Sequence, residues 1–274
     1  MFGHTFYHDT IRKYVILFGT LFNETYIRRV DNSGNEQQIL KIPIMYAPRD
    51  KILARLDSNP DLNNQAAVTL PRMSFEMSSI TYDPDRKLNT INRNVEADAN
   101  DNTKLKTVYN PVPYLMNFSL YIYVKNAEDG TKILEQILPF FKPEWTASVN
   151  LLPELSLTYD IPTILNSVSS EDIYEGDFIT RRAMIWTLEF SMKGYVFGPI
   201  TSKSIITLSN TNFFIDETAA ITGTSNTNVE NVTVLPGLSN TGTATSNSSL
   251  SVDRSEIAAN DDFGYISTIT SVDN

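Results

Sequence analysis

The stretch EGDFITRRAMIWTLEFSMK (residues 175–193) decides the fold class, because it leads from a turn directly into a strand. Its acidic, glycine-containing start is typical of a turn, and the residues that follow alternate between apolar and polar. A period of two places every second side chain on the core face of a sheet: Met184, Trp186, Leu188, Phe190 and Met192. The other face, which we predict to point outward, carries Thr187, Glu189, Ser191 and Lys193. The segment therefore predicts a half-buried strand.

Two adjacent arginines begin this strand. Alternation points Arg181 and Arg182 to opposite faces, so they do not form one catalytic or phosphate-binding clamp. Arg182 shares its face with Trp186 and is predicted to support the margin of the core. Arg181 is then available to solvent or to a partner. The alternative is that both are ordinary arginines making local salt bridges, which contribute little at exposed positions.

Two further segments alternate in the same way. Residues 70–82 place Met73, Phe75 and Met77 on one face of a strand. Residues 117–124, NFSLYIYV, have four apolar core positions: Phe118, Leu120, Ile122 and Val124. The opposite face of NFSLYIYV carries Tyr121 and Tyr123, and tyrosines on an outer face often meet a partner. We therefore predict that these two tyrosines belong to an interface.

Three helices and a hairpin complete the predicted elements. Apolar residues at steps of three and four predict helices over about 7–23 and 126–138, the second stopped by Pro139. A short helix beginning at a proline is predicted over 47–56. Two β-branched segments flank the turn at 32–35 and predict a hairpin. Two more strands are expected at about 147–159 and 163–169.

Residues 83–107 are polar and contain few core residues, so they predict a long loop or an extended hairpin. Long connections in compact domains are usually functional or interfacial. We therefore place candidate interface residues here: Asp85, Arg86 and Lys87.

Charge is distributed unevenly along the 274 residues. The segment 204–274 has eight acids and one base, whereas residues 1–203 have 24 acids and 21 bases. No concentrated basic surface is expected, which argues against binding to nucleic acid or to an anionic membrane.

The chain has no cysteine, so it is suited to a reducing cytoplasm. The apolar run at 14–22 is too short to cross a bilayer, and Asp9 before it argues against a signal peptide.

The composition changes near residue 200. Residues 201–274 are rich in Ser, Thr and Asn, and such a segment alone tends to remain disordered because it buries little apolar area. We expect an extended tail held in place by neighbouring subunits or partners. The predicted division is a domain at 1–200 and an acidic extension at 201–274.

The motifs of common catalytic and cofactor sites are missing from the sequence. His4, His8 and Asp9 have a spacing compatible with metal ligands, but there is no further histidine, no cysteine and no HExxH motif. The chain has no G-x-S-x-G elbow and no glycine-rich nucleotide loop. We therefore predict no catalytic, metal or cofactor site and no enzymatic activity.

Seven short motifs occur in an order that resembles a known family. They are MFG at 1–3, IPIMYA at 42–47, LPR at 70–72, YNPVP at 109–113, EQILPFFKP at 135–143, DIP at 160–162 and EGDFITRRAMIWTLEF at 175–190. In this order they resemble the tail completion and sheath stabiliser proteins, or tail terminators, of T-even-type contractile-tailed bacteriophages. The resemblance covers about the first 200 residues and does not extend to the tail.

The resemblance implies an α+β fold, a twisted and mostly antiparallel sheet flanked by a few helices, in agreement with the elements above. It implies a structural virion protein at the neck-proximal end of the tail, assembled in the host cytoplasm. The implied assembly is a homo-hexameric ring that contacts the tail sheath protein, the tail tube or tube-terminating protein and the neck proteins of the head. A different hypothesis is a monomeric virion module that recognises a carbohydrate or the host.

Overall fold

The computed structural model describes residues 5–30, 36–57, 70–98, 101–173, 183–214 and 228–271. The chain divides into two compact units. The first contains Met1–Thr90 and Asn110–Gly198, and the second contains Ile91–Tyr109 and Pro199–Asn274. The second unit thus combines a segment from the middle of the chain with the segment that follows residue 198.

A six-stranded sheet forms the centre of the first unit. Its strands are β3 (Ile44–Tyr46), β4 (Arg72–Tyr82), β7 (Val112–Val124), β8 (Glu144–Leu152), β9 (Leu157–Ile173) and β10 (Ala183–Val196), in the order β3-β4-β7-β10-β9-β8. All neighbours are antiparallel except β3 and β4. The unit also contains α1 (Thr10–Leu21), the antiparallel hairpin of β1 (Tyr26–Val30) and β2 (Glu36–Lys41), α2 (Arg49–Asp57) and α3 (Ala127–Ile137). The predicted α+β fold is confirmed.

Helix α1 packs on the core face of this sheet through aromatic residues. Phe18 is fully buried, and its ring lies 4.5 Å from that of Phe118, 5.3 Å from that of Phe75 and 5.2 Å from that of Phe190, centroid to centroid. These three rings come from β4, β7 and β10, so one helical residue joins three adjacent strands. The core positions predicted from alternation on β7 are all buried.

The opposite face of the sheet has a core of its own at one end. Tyr123 is fully buried in a cluster with Ala47, Ile52 of α2 and Ile185 of β10. The prediction that Tyr123 lies on an outer face is therefore wrong, because α2 covers this end of the sheet. Tyr121, two residues earlier on β7, is half-buried.

Several predicted boundaries differ from those of the structure. The strands expected at 147–159 and 163–169 are β8 and β9, separated by a 3-10 turn at Pro153–Leu155. Pro153 starts this turn, and Ser156 follows it with a left-handed φ of 50°. These two residues end β8 earlier than the apolar pattern indicated. The predicted helix at 126–138 is confirmed as α3.

The described residues of the second unit form two three-stranded antiparallel sheets. The first has the order β11-β6-β5, from Thr201–Ser204, Asp101–Tyr109 and Arg93–Asp98, so the polar segment after residue 83 contains an extended hairpin. The second has the order β12-β13-β14, from Ser209–Phe214, Asn228–Gly237 and Gly264–Ser271.

The tail is more ordered than its composition suggests. Leu238, Ile257 and Ile266 are buried and give it a small core. Side-chain hydrogen bonds also join its strands, as between Asn231 Nδ2 and Asn212 Oδ1 at 2.6 Å. In the full chain, the described strands of the tail therefore pair with one another, and disorder of the isolated segment stays a prediction.

Candidate interaction surfaces

The turn after β4 is fixed by Arg86. Its Nε donates to Asp83 Oδ2 at 2.6 Å, one of its terminal nitrogens donates to the Tyr114 carbonyl at 3.3 Å, and its guanidinium lies 5.0 Å from the ring centre of Tyr195. The guanidinium also lowers the pKa of the Asp83 carboxyl, which is buried. Arg86 therefore joins the turn to β7 and β10.

The two residues beside Arg86 in the chain are more exposed to solvent than Arg86 itself. Asp85 and Lys87 are both exposed on this turn. Of the three residues predicted here as interface residues, Arg86 thus has an intramolecular role in the structure. Asp85 and Lys87 have the exposure that contact with a partner requires.

The outer face of the central strands carries two carboxylates held by hydrogen bonds. The Tyr121 hydroxyl donates to Glu76 Oε1 at 2.9 Å, and the Ser119 hydroxyl donates to Glu189 Oε2 at 2.8 Å. Partial burial and the Glu76 carboxylate raise the pKa of Tyr121 to about 12. Tyr123, by contrast, forms a hydrogen bond with Ser74 Oγ at 3.2 Å inside the second core. This face is thus polar and anionic around Tyr121.

The two predicted strand-start arginines are not placed by the structure. Arg181 and Arg182 lie outside the described residues. Their division between two faces stays a prediction. The core positions that follow them on β10 are placed, and Leu188, Phe190 and Met192 are buried.

An apolar groove of about 770 Å³ opens in the first unit beside the ends of α1 and α3. Its apolar lining includes Leu17, Leu21, Phe22, Phe140, Phe141 and Trp145. Phe140, in the 3-10 turn Leu138–Phe140 after α3, is 68% exposed, which is unusual for a phenylalanine. Sequence reasoning missed this groove, although the Phe-Phe pair directly after the helix-stopping Pro139 was a visible signal.

One face of the tail sheet β12-β13-β14 carries exposed apolar side chains between polar ones. The register places Phe213, Tyr265 and Ile269 on one face, where their exposed fractions are 50%, 69% and 65%. The other face carries the buried Ile266 together with six polar residues: Asn210, Asn212, Asn231, Thr233, Thr268 and Thr270. Exposed apolar patches on soluble domains often mark interaction sites.

We looked for groups of metal-ligating side chains in the parts of the chain that the structure describes. Those parts contain no group of three or more His, Cys, Asp or Glu residues that could hold a metal ion. His8 forms a hydrogen bond through Nε2 to the Gly198 carbonyl oxygen at 2.9 Å.

Within the same described residues, no helix combines the length and apolar character needed to cross a membrane.

Comparison with known proteins gives the family. Residues 5–271 match a family model described as the T4-like virus Myoviridae tail sheath stabiliser. The chain is also 29% identical over 221 residues to the tail completion protein gp15 of Enterobacteria phage T4, covering 78% of this chain and 79% of that protein. The family match includes the tail, so the resemblance does not end near residue 200 as the motifs alone indicated. The chain belongs to the tail sheath stabiliser family of T4-like Myoviridae.

Proposed function

We propose that six copies of this chain form a ring that terminates and stabilises the head-proximal end of a contractile tail and joins it to the neck of the head. The family makes the chain a structural protein of the virion tail. The observation that supports the finer function best is that the family match spans both units, from residue 5 to residue 271. The relative in phage T4 carries the description of a tail completion protein.

Binding alone is sufficient for this function. A terminating ring has to contact copies of itself, the last layer of sheath and tube, and the neck proteins, so each copy needs several separate surfaces. The structure offers candidates in both units: the groove around Phe140 in the first and the exposed apolar residues Phe213 and Ile269 in the second. Exposed aromatic residues are enriched among those that dominate protein interfaces.

Among the predicted interface residues, we retain Arg181, Arg182, Tyr121, Asp85 and Lys87 as proposals for contacts in this assembly. The Tyr121 hydroxyl donates to Glu76 and the neighbouring Ser119 donates to Glu189, so this face is anionic, which suits a basic partner. Arg86 acts indirectly by holding the turn that carries Asp85 and Lys87. Assembly in the host cytoplasm fits the absence of cysteine.

Mass photometry and negative-stain imaging test this proposal. The purified full chain is measured alone and after mixing with sheathed tails that lack a terminator. We expect particles with the mass of six copies, or extra density at one end of the tails where the ring needs a template. A strict monomer that leaves both tail ends unchanged contradicts the proposal. Glycan binding by such a monomer would instead favour the carbohydrate- or host-recognition module.

A further inference from the structure

The groove beside α1 and α3 has an ordered apolar floor. Phe22 and Phe141 belong to its lining, and their ring centres lie 6.5 Å apart. Both rings also pack on the buried Phe190 of β10, at centroid distances of 5.5 Å for Phe22 and 5.1 Å for Phe141. The floor is thus continuous with the core of the first unit. A partner that enters the groove meets a surface that is already ordered, which lowers the entropic cost of binding.

Hydrogen bonds within the chain fix the walls of the groove. Gln136 lines the groove and joins α3 to β1: its Nε2 donates to the Tyr26 carbonyl at 2.8 Å, and its Oε1 accepts from the Tyr26 N–H at 3.4 Å. Beside the end of α1, the Thr25 hydroxyl donates to the Phe22 carbonyl at 3.0 Å. The groove is therefore shaped by contacts of the chain itself, and no partner is needed to form it.

The C-terminal ends of two helices meet at this groove. Thr20 and Leu21, in the last turn of α1, belong to the lining, as do Glu135 and Ile137 in the last turn of α3. The C-terminus of a helix carries a partial negative charge of roughly half an elementary charge. Neither last turn contains a basic residue that would compensate this charge. The helix ends therefore make the groove attractive to a cation.

One carboxylate without a partner adds to this negative charge. Glu24 and Glu135 are the charged residues of the lining, which has no base. Glu24 already bonds to Lys41 Nζ at 2.8 Å. Glu135 is exposed and forms no salt bridge among the described residues, because Lys132, the base of α3, bonds to Glu128 instead. An acid in the last turn of a helix opposes the helix dipole, so Glu135 does not stabilise α3.

The apolar surface extends beyond the groove. Phe140 belongs to the lining and is 68% exposed, and Leu138 of the same 3-10 turn lies outside the lining and is 40% exposed. A small molecule confined to the groove would leave Leu138 in water, whereas a segment of another protein can cover both side chains. Exposed aromatic residues beside a pocket are typical of protein interfaces. The surface therefore suits a protein segment.

We propose that the groove binds a segment of another protein of the sheathed tail, in which apolar side chains flank a lysine or an arginine. The apolar side chains cover Phe140 and the floor, and the base pairs with Glu135 at the two helix C-termini. This inference rests on the proposed function, which brings the chain to the end of a tail, and it names the chemistry of the segment bound there. An acidic segment is disfavoured, because it would meet like charge in the groove.

Two substitutions at one position test the charge of the partner. Sheathed tails that lack a terminator are titrated with wild type, Glu135→Gln and Glu135→Lys in co-sedimentation. We expect binding to weaken about tenfold for Glu135→Gln and about a hundredfold for Glu135→Lys, since contact between like charges costs more than loss of an ion pair. Glu256→Lys reverses an exposed glutamate of the second unit and should bind as wild type does. Equal binding of Glu135→Lys and Glu256→Lys overturns the proposal.

Thermal unfolding separates a binding defect from a folding defect. A lysine suits the C-terminus of a helix, so Glu135→Lys should keep or raise Tm while binding is lost. A fall in Tm that parallels the loss of binding would attribute the loss to α3 itself and overturn the charge assignment. The advantage of wild type over Glu135→Gln should also shrink at about 1 M salt, because salt screens the ion pair.

Photo-cross-linking identifies the bound segment. Phe140 of the full chain is replaced by p-benzoyl-phenylalanine, the chain is irradiated on the same tails, and the cross-linked peptide is sequenced by mass spectrometry. We expect a peptide of another tail protein that carries lysine or arginine among apolar residues. The same replacement at the exposed Tyr46, outside the lining, should not give this peptide. A peptide of this same chain, a peptide without a base, or binding without any cross-link from position 140 overturns the proposal.

These outcomes are distinct from failure of the proposed function. A wild-type chain that forms no ring and binds neither end of the tails removes the proposed function, and this inference with it. Wild-type binding that Glu135→Lys leaves unchanged removes only the groove as the binding site, and the chain still acts at the tail.

Discussion

The Tyr14 hydroxyl bridges the N–H and the carbonyl of Tyr195, donating to the carbonyl oxygen at 2.8 Å and accepting from the N–H at 2.8 Å. Strand β10 carries Tyr195 beyond Met192, where pairing with β9 ends. On that side of β10 the hydroxyl therefore takes the place of a neighbouring strand. Tyr14 itself is fully buried, so one side chain both packs α1 on the sheet and satisfies the backbone at the end of β10.

Replacing Tyr14 with phenylalanine should isolate the contribution of this hydroxyl to the free energy of unfolding. Tyr14→Phe keeps the ring and leaves two backbone groups of β10 without their partner, which costs about 1–3 kcal/mol of the free energy of unfolding. Urea unfolding measures the loss. Tyr46→Phe is the control, because Tyr46 is 54% exposed and should change stability little. Equal stability of the Tyr14→Phe and wild-type proteins would contradict this role.

The same residue should make stability fall at alkaline pH. Burial raises the pKa of Tyr14 above its ordinary value, so the folded state favours the protonated hydroxyl. The stabilisation is complete below the pKa of tyrosine in the unfolded chain, about 10, and declines as pH rises above that value. The stability difference between wild type and Tyr14→Phe should therefore stay constant up to about pH 9 and shrink between about pH 10 and pH 12. A constant difference across this range would argue against ionisation of Tyr14.

Gly130 of α3 permits close contact with Trp186 of β10. A Cβ at Gly130 would lie 2.5 Å from Trp186 Nε1, so Gly130→Ala forces the helix or the indole to move. Alanine favours helices, but overpacking should dominate and cost about 1–3 kcal/mol. Gly198→Ala is the control, because nothing lies within 4 Å of a Cβ there. Trp186→Phe should reduce the cost of Gly130→Ala, and strictly additive effects in the double-mutant cycle would contradict the steric explanation.

Arg86→Ala should destabilise the first unit. The substitution removes the ion pair with Asp83, the bond to the Tyr114 carbonyl and the contact with the Tyr195 ring, at a cost of about 1–3 kcal/mol at neutral pH. Lys87→Ala, at the adjacent exposed position, is the control.

The cost of Arg86→Ala should also depend on pH. Because the folded pKa of Asp83 is lowered, its stabilisation is present above the pKa of a free carboxyl, about 4, and is lost as pH falls further. The advantage of wild type over Arg86→Ala should therefore decline below about pH 4 in urea titrations. An advantage that stays constant down to about pH 2 would show that packing, and not the ion pair, carries the effect.

Alternation predicted the core face of the sheet well, because the side-chain period of a strand is local information. Phe118 and Phe190, assigned to the core from sequence, both contact Phe18 of α1. The same reasoning failed at Tyr123, since burial there depends on α2, which is distant in sequence. Alternation identifies two faces, but it does not reveal whether a remote helix covers the second one.

Long-range pairing also limited what could be predicted about the sites. Arg86 looked like a free loop residue, and its partners Tyr114 and Tyr195 are remote in sequence. The ordered tail was missed for a similar reason. Its strands are stabilised by pairing, because Ser209–Phe214 and Gly264–Ser271 both pair with β13, which lies between them in the sheet. Amino-acid composition does not show which segments pair.

The groove beside α1 and α3 should contribute to attachment of this protein to tails. Phe140 is exposed, lies at the edge of an apolar groove and is not needed to fill the core of the first unit. Phe140→Ala should therefore change the free energy of unfolding by less than about 0.5 kcal/mol. If the groove receives a partner, loss of an aromatic anchor should weaken binding to terminator-free tails by about tenfold or more in co-sedimentation titrations. Ile80→Ala removes an exposed apolar side chain of β4 outside the groove lining and provides the comparison. Equal binding of the Phe140→Ala and Ile80→Ala variants would show that the tail does not use this groove.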